Sequence, residues 1–192
     1  MNYNLGNAHF LLGETNKAIT YYLRAIELRE IQKLPPKSET QYNLGNAYCV
    51  LKQLDSAISA YKKAVELDHL NAPALYNLGN AYYMKQDYEK SINAYLLALK
   101  LNPDSAECHF NIASAFRDNK QFKEAELHYE TSLKLNKSNP ETYYQIGALY
   151  EMKQTFQDLI TAEEYYSRCI ELDPSHPEAS PGVVRIQRAR GN

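Results

Sequence analysis

A large aliphatic residue followed by a small one recurs at a fixed interval: Leu44-Gly45, Leu78-Gly79, Ile112-Ala113 and Ile146-Gly147 each lie 34 residues apart. Equal steps of this size imply stacked copies of one supersecondary unit, which bury their apolar faces against one another because a single copy cannot bury its own. The stretch from Ala72 to Ser105 is the template, and it reads as two helices joined by a tight turn. At about 100° per residue, Leu75, Leu78, Gly79 and Tyr82 share one side of the first helix. Gly79 leaves room for a close approach, Ser91 and Ala98 do the same in the second helix, and Tyr95 between them fills the remaining space. Asp87 is placed to cap the second helix, and Asn102-Pro103 to end it.

The succession Leu-Gly, Tyr, Ala, Tyr, Ala, Pro resembles the tetratricopeptide repeat. The resemblance implies an all-α, right-handed superhelical solenoid of antiparallel helix pairs. It divides the chain, as a single domain spanning 1–192, into repeats at about 1–37, 38–71, 72–105, 106–139 and 140–176 and a capping helix at about 177–190. Two places break the period. Leu5-Gly6 precedes Leu44-Gly45 by 39 residues. The excess, within Glu30 to Pro36, predicts a second helix one turn longer, stopped by Pro35-Pro36. It is read as tolerated variation, with a contact ridge through Ile31 and Leu34 as the functional alternative. In the fifth repeat Ala162, Tyr166 and Cys169 arrive three residues late, so Gln157 to Thr161 is expected to lengthen or distort the turn. Ser180-Pro181 predicts the start of a capping helix through Val183, Val184, Ile186 and Ala189, whose basic end suits a helix C-terminus. The first repeat opens in mid-helix and the finish is short, which suggests one piece of a longer protein.

Charge excludes a partner class: 21 basic residues face 23 acidic ones, net −2, so no nucleic-acid partner of the kind held by a strongly basic surface is expected. No run approaches the ~20 apolar residues that span a bilayer, so no membrane is expected. Cys49, Cys108 and Cys169 are too scattered for a disulfide framework, which places the chain in the cytoplasm, with the nucleus as the alternative. There is no Gly-rich phosphate loop, His-Glu-x-x-His pair or Gly-x-Ser-x-Gly turn. Cys108 and His109, adjacent on one helix, point about 100° apart. No enzyme activity, metal or cofactor is expected, and His109 is read as structural.

The remaining face of each first helix carries the candidate site. Counting each repeat from its first residue, place six holds Asn4, Asn43, Asn77, Asn111 and then Gln145, while place nine holds Asn7, Asn46, Asn80, then Ser114 and Ala148. Each side-chain amide offers a donor and an acceptor, as an extended peptide backbone does. The family resemblance puts these helices on the inside of the superhelix. It also brings a likeness, at places six and nine only, to the asparagine ladder of the intracellular sugar transferase that modifies serine and threonine. Aromatic residues run beside the amides: Tyr42, Tyr76, Phe110 and Tyr83. The expected function is therefore a protein-interaction scaffold, monomeric, that binds an extended segment of a protein or peptide partner through Asn43, Asn46, Asn77, Asn80 and Asn111, flanked by Tyr42, Tyr76, Phe110 and Tyr83. Two alternatives are the substrate-recognition fragment of a larger enzyme, such as a glycosyltransferase, and a self-assembly module. Members that clamp acidic chaperone tails carry basic residues at places two, five and six. Glu39, Pro73, Glu107 and Glu141 at place two predict that this chain does not.

Overall fold

In the computed structural model, which describes residues 1–191, the chain forms two compact units, Met1–Pro103 and Asp104–Asn192. The first contains α1 (Asn2–Leu11), α2 (Thr15–Ile31), α3 (Ser38–Val50), α4 (Leu54–Leu67), α5 (Ala72–Met84) and α6 (Tyr88–Leu101). The second contains α7 (Ala106–Asp118), α8 (Phe122–Leu135), α9 (Pro140–Lys153), α10 (Phe156–Leu172) and α11 (Ala179–Ala189). Among the described residues there are no strands. Each odd-numbered helix up to α9 packs against its successor.

The small residue at place eight is required by a tyrosine ring. A Cβ on Gly45 would lie 2.5 Å from the ring of Tyr61, and one on Gly79 2.5 Å from that of Tyr95. In the second unit Tyr166 is pressed on one edge by Gly147 and on the other by Gly182 of α11, so the last helix seats itself as another first helix would. Tyr22, Tyr61, Tyr95, Tyr129 and Tyr166 are each buried to within 1% of full exclusion from solvent. The core of the first unit is built on Tyr22 and Tyr61, with Leu44, Ala47, Leu78 and Ala81 around them. In the second unit Tyr129 packs among Ala113, Ala125, Ile146 and Leu149, and Tyr166 with Ala162 and Ile186.

The turn between paired helices closes on a left-handed residue at place fifteen, where φ is 75° at Gly13, 57° at Lys52, 62° at Gln86, 61° at Lys120 and 63° at Gln154. In the template turn Asp87 N donates to Tyr82 O at 3.0 Å and Gln86 N to Tyr83 O at 2.8 Å, which satisfies carbonyls the helix leaves unpaired. Asp87 then caps α6, its side chain accepting from Lys90 N as expected.

Both breaks in the period lengthen a second helix. α2 and α10 are 17 residues long against 14 for α4, α6 and α8. For α2 this matches the expectation, but the stop comes earlier than Pro35-Pro36: the chain turns at Lys33, with φ 53°, and Leu34 N donates to Arg29 O at 2.8 Å. For α10 the expectation of a lengthened or distorted turn is overturned. Thr155 and Asp158 form a reciprocal capping box that starts the helix at Phe156, so the added residues extend α10 at its front. Its spacing of Ala162, Tyr166 and Cys169 is intact, and all three are buried. The last helix also begins earlier than expected. Ala179 is its first residue and Glu178 its N-cap, so Ser180 lies inside it, while Ile186 is buried and Val184 and Ala189 are exposed.

Candidate amide ladder on the first helices

The place-nine asparagine of the first unit has an inward task. Each buried tyrosine hydroxyl donates to a residue fifteen positions earlier: Tyr22 to Asn7 Oδ1 at 2.8 Å, Tyr61 to Asn46 Oδ1 at 2.8 Å and Tyr95 to Asn80 Oδ1 at 2.5 Å. A phenol taken out of water needs such a partner, and burial pushes the Tyr22 hydroxyl up to about 12 and that of Tyr61 higher still. The sequence reading missed this role, although a signal was present in the constant spacing of Asn and Tyr.

The same carbonyls receive the next repeat. Asn43 Nδ2 donates to Asn7 Oδ1 at 3.2 Å and to Tyr3 Oη at 2.9 Å, while Asn77 Nδ2 donates to Asn46 Oδ1 at 2.9 Å and lies 3.4 Å from Tyr42 Oη. With Tyr61 and Asn77 both donating to it, Asn46 Oδ1 has used its two lone pairs. The expectation that every amide offers both a donor and an acceptor is thereby corrected. Asn43 and Asn77 at place six spend the NH2 group on the ladder and keep the carbonyl oxygen, while Asn46 at place nine spends the oxygen and keeps the NH2 group. Within the unit, Asn43, Asn46 and Asn77 therefore present one acceptor or one donor each.

The aromatic residues beside the ladder also brace it. The ring of Tyr42 lies 6.1 Å from that of Tyr61, that of Tyr76 5.6 Å from Tyr95, and that of Tyr83 5.6 Å from Tyr88. Tyr42, Tyr76 and Tyr83 are half-buried, which leaves an edge of each exposed. Of the candidate residues, Asn43, Asn46, Asn77, Asn80, Tyr42, Tyr76 and Tyr83 belong to the first unit, and Phe110 and Asn111 belong to α7 of the second.

The second unit satisfies its tyrosines differently. Tyr129 Oη pairs with Ser114 Oγ at 3.0 Å, and Tyr166 Oη donates to Glu151 Oε2 at 2.5 Å. Arg117 reaches both Tyr129 and Gln145 Oε1, and Gln145 Nε2 donates to Glu141 at 2.5 Å. Arg185 of α11 grips Glu151 with two bonds, at 3.0 and 3.1 Å. Burial pushes the Glu151 carboxyl up, but the bonds from Arg185 and Tyr166 outweigh it and hold the group below its ordinary range. Phe110 stands edge-on to Tyr129, with ring centres 5.7 Å apart.

His109 and His128, on α7 and α8, face each other with Nδ1 atoms 3.0 Å apart, a pairing that the sequence did not reveal. Burial, with the neighbouring His109, lowers His128 to about 4. Cys49, Cys108 and Cys169 form no disulfide, and burial pushes Cys108 up to about 12 and Cys169 up to about 11. Among the described residues no cluster of three or more His, Cys, Asp or Glu has the arrangement of a metal site, and no helix is long and apolar enough to cross a membrane.

Comparison with known proteins bears on the repeat. The "TPR repeat" family profile matches residues 45–86, 79–120 and 113–154, and "Tetratricopeptide repeat" profiles match 2–30 and 140–176. The chain belongs to the tetratricopeptide-repeat family. Its solved structural neighbours include MamA, at 25% identity and TM-score 0.81, with 88% of this chain and 95% of MamA covered. YrrB, described as a TPR protein with an unusual peptide-binding site, aligns at 20% identity and TM-score 0.81 over 94% of this chain and 89% of its own. PilF of Pseudomonas aeruginosa aligns at 21% identity and TM-score 0.77 over 97% and 82%. A search of curated protein sequences gives no match. The fold is that of a scaffold for protein–protein interaction, and that is the functional class of this chain.

Proposed function

We propose that the first-helix face of the first unit binds an extended segment of a partner protein by its backbone, as the groove of a tetratricopeptide solenoid. The observation that supports this is the polarity of the ladder. Asn43 and Asn77 keep an acceptor, and Asn46 keeps a donor, after their internal bonds are made. An extended peptide presents alternating N–H and C=O groups, the complement of such a row. Tyr42, Tyr76 and Tyr83 add flat apolar contact with polar edges. Phe110 and Asn111, on α7 of the second unit, are proposed as partner contacts of that unit by itself, and YrrB is described as having a peptide-binding site on this fold.

The ladder also defines a clean test. Asn77→Ala removes an internal bond together with an outward group, so lost binding would be confounded with lost packing. Asn46→Asp and Asn80→Asp keep the inward oxygen that the tyrosines need and replace the outward NH2 donor by an acceptor. Peptides selected from a random display library on the wild-type chain are expected to bind the double variant about 5- to 150-fold more weakly, at roughly 0.5–1.5 kcal/mol per lost bond, with helicity unchanged. Equal affinity would refute the reading.

A further inference from the structure

The insertion at Glu30 to Pro36 does more than absorb five residues. Beyond the turn at Lys33 the chain has no regular secondary structure from Leu34 to Lys37, Lys37 being extended, and Arg29 Nε donates to Pro35 O at 2.7 Å, which ties this strap back to α2. A pocket of about 130 Å³ is left between α2, this strap and α3. Its apolar walls are Ile26, Leu34 and Pro36, and its cations are Arg29, Lys37 and Lys63, against the single acid Glu30. A cavity of this size suits one aliphatic side chain, since an apolar void of about 150 Å³ takes up a ligand as large as benzene.

We propose that this pocket is a docking site for a partner segment carrying an aliphatic side chain followed directly by a carboxylate. Charge complementarity selects that occupant. The chain as a whole is at −2, yet the pocket's lining has three cations and one acid. Lys63 is engaged by Glu66 at 2.9 Å, whereas Lys37 makes no ion pair among the described residues. Arg29 uses its Nε on Pro35 and retains its two terminal nitrogens, the fork that receives a carboxylate. An aliphatic group next to a base would meet repulsion here, and an acid without the aliphatic group would lack an anchor. This site does not rest on the amide-ladder reading and can stand or fall separately from it.

The test is a backbone amide NMR titration of the full chain with three capped dipeptides: N-acetyl-Leu-Glu-amide, N-acetyl-Leu-Lys-amide and N-acetyl-Ala-Glu-amide. The first is expected to shift the signals of Ile26, Glu30, Leu34 and Lys37, with a dissociation constant at least about threefold lower than either of the others. In Lys37→Glu the preference for Leu-Glu over Leu-Lys is expected to disappear, and Arg29→Gln to weaken Leu-Glu binding. Both variants are checked for the wild-type pattern of signals outside the strap. Equal responses to all three dipeptides, shifts confined to other residues, no shifts at all, or a preference unchanged in Lys37→Glu would each overturn the proposal.

Discussion

The two units solve one problem with different chemistry. Each must terminate the hydroxyl of a tyrosine buried between helices. The first does so with neutral amides: Asn7, Asn46 and Asn80 accept from Tyr22, Tyr61 and Tyr95, and Asn43 and Asn77 join successive repeats. The second uses Ser114 for Tyr129 and a carboxylate for Tyr166, with Arg117 and Arg185 crossing between helices. A neutral ladder leaves half of each amide uncommitted and is indifferent to salt and pH. A charged network spends its groups on itself and is sensitive to both. Asn43, Asn46 and Asn77 of the first unit thus each keep an outward polar group, while in the second unit Glu151, the partner of Tyr166, is itself held by Arg185.

The largest expected effect breaks each solution at its centre. Asn46→Leu leaves the Tyr61 hydroxyl only the Cys49 sulfur at 3.5 Å and the Asn77 amide only Tyr42 Oη at 3.4 Å, and should cost on the order of 2–4 kcal/mol, read by denaturant unfolding. Adding Tyr61→Phe should recover part of that loss, because removing both partners is milder than removing one. Glu151→Leu strands the Tyr166 hydroxyl and unpairs Arg185, at roughly 1–3 kcal/mol. Part of that second loss should vanish in about 1 M salt, where the ion pair is already screened, and the loss for Asn46→Leu should not change. Equal salt dependence in the two variants would break the distinction.

Acid sharpens the comparison. His128 is held at about 4, below its unfolded value, so the unfolded chain takes up the proton first; its contribution is complete above about pH 6.5 and falls as the pH drops towards 4. Glu151 is held below the ordinary carboxylate value, so its contribution is present above that value and is lost as the pH falls through the lowered one. Partial exposure limits the histidine effect to about 1–2 kcal/mol. Hydrogen exchange at pH 7 and pH 5, corrected for intrinsic rates, should show protection falling in α7 and α8, which carry His109 and His128, and holding in α3 to α5; the Glu151 loss adds to this only below the ordinary carboxylate value. His128→Gln should remove the upper part of the dependence.

Much of this was legible in the chain, and the limits have physical causes. The interval from Leu44 to Ile146 reports packing directly, because a small residue at place eight is demanded by a tyrosine ring 2.5 Å from where its Cβ would be. The insertion near Gln157 was misplaced because counting residues gives the length of a connection but not which side of the turn absorbs it; the capping box at Thr155 and Asp158 decided that. The amides at places six and nine were correctly grouped on one face, yet their polarity was hidden. Which half of an amide is spent depends on a tyrosine fifteen residues away and on the neighbouring repeat. The pairing of His109 with His128 needed two helices to be set side by side.

The smallest expected effect concerns a feature common to both units. Gln86 and Lys120 hold left-handed backbone that glycine adopts without a Cβ clash. Gln86→Gly and Lys120→Gly should each raise stability by roughly 0.5–1 kcal/mol, the relief of the clash exceeding the added freedom of the unfolded chain. A lowered melting temperature in either would show that the side chain contributes more than the strain costs.

The most direct measurement follows the side-chain NH2 signals of the asparagines during titration with a bound peptide. The account predicts large shifts for Asn46 and Asn80, whose NH2 groups are proposed to meet the partner, and small ones for Asn43 and Asn77, whose NH2 groups are spent between repeats. The reverse pattern, or equal shifts in all four, would contradict it.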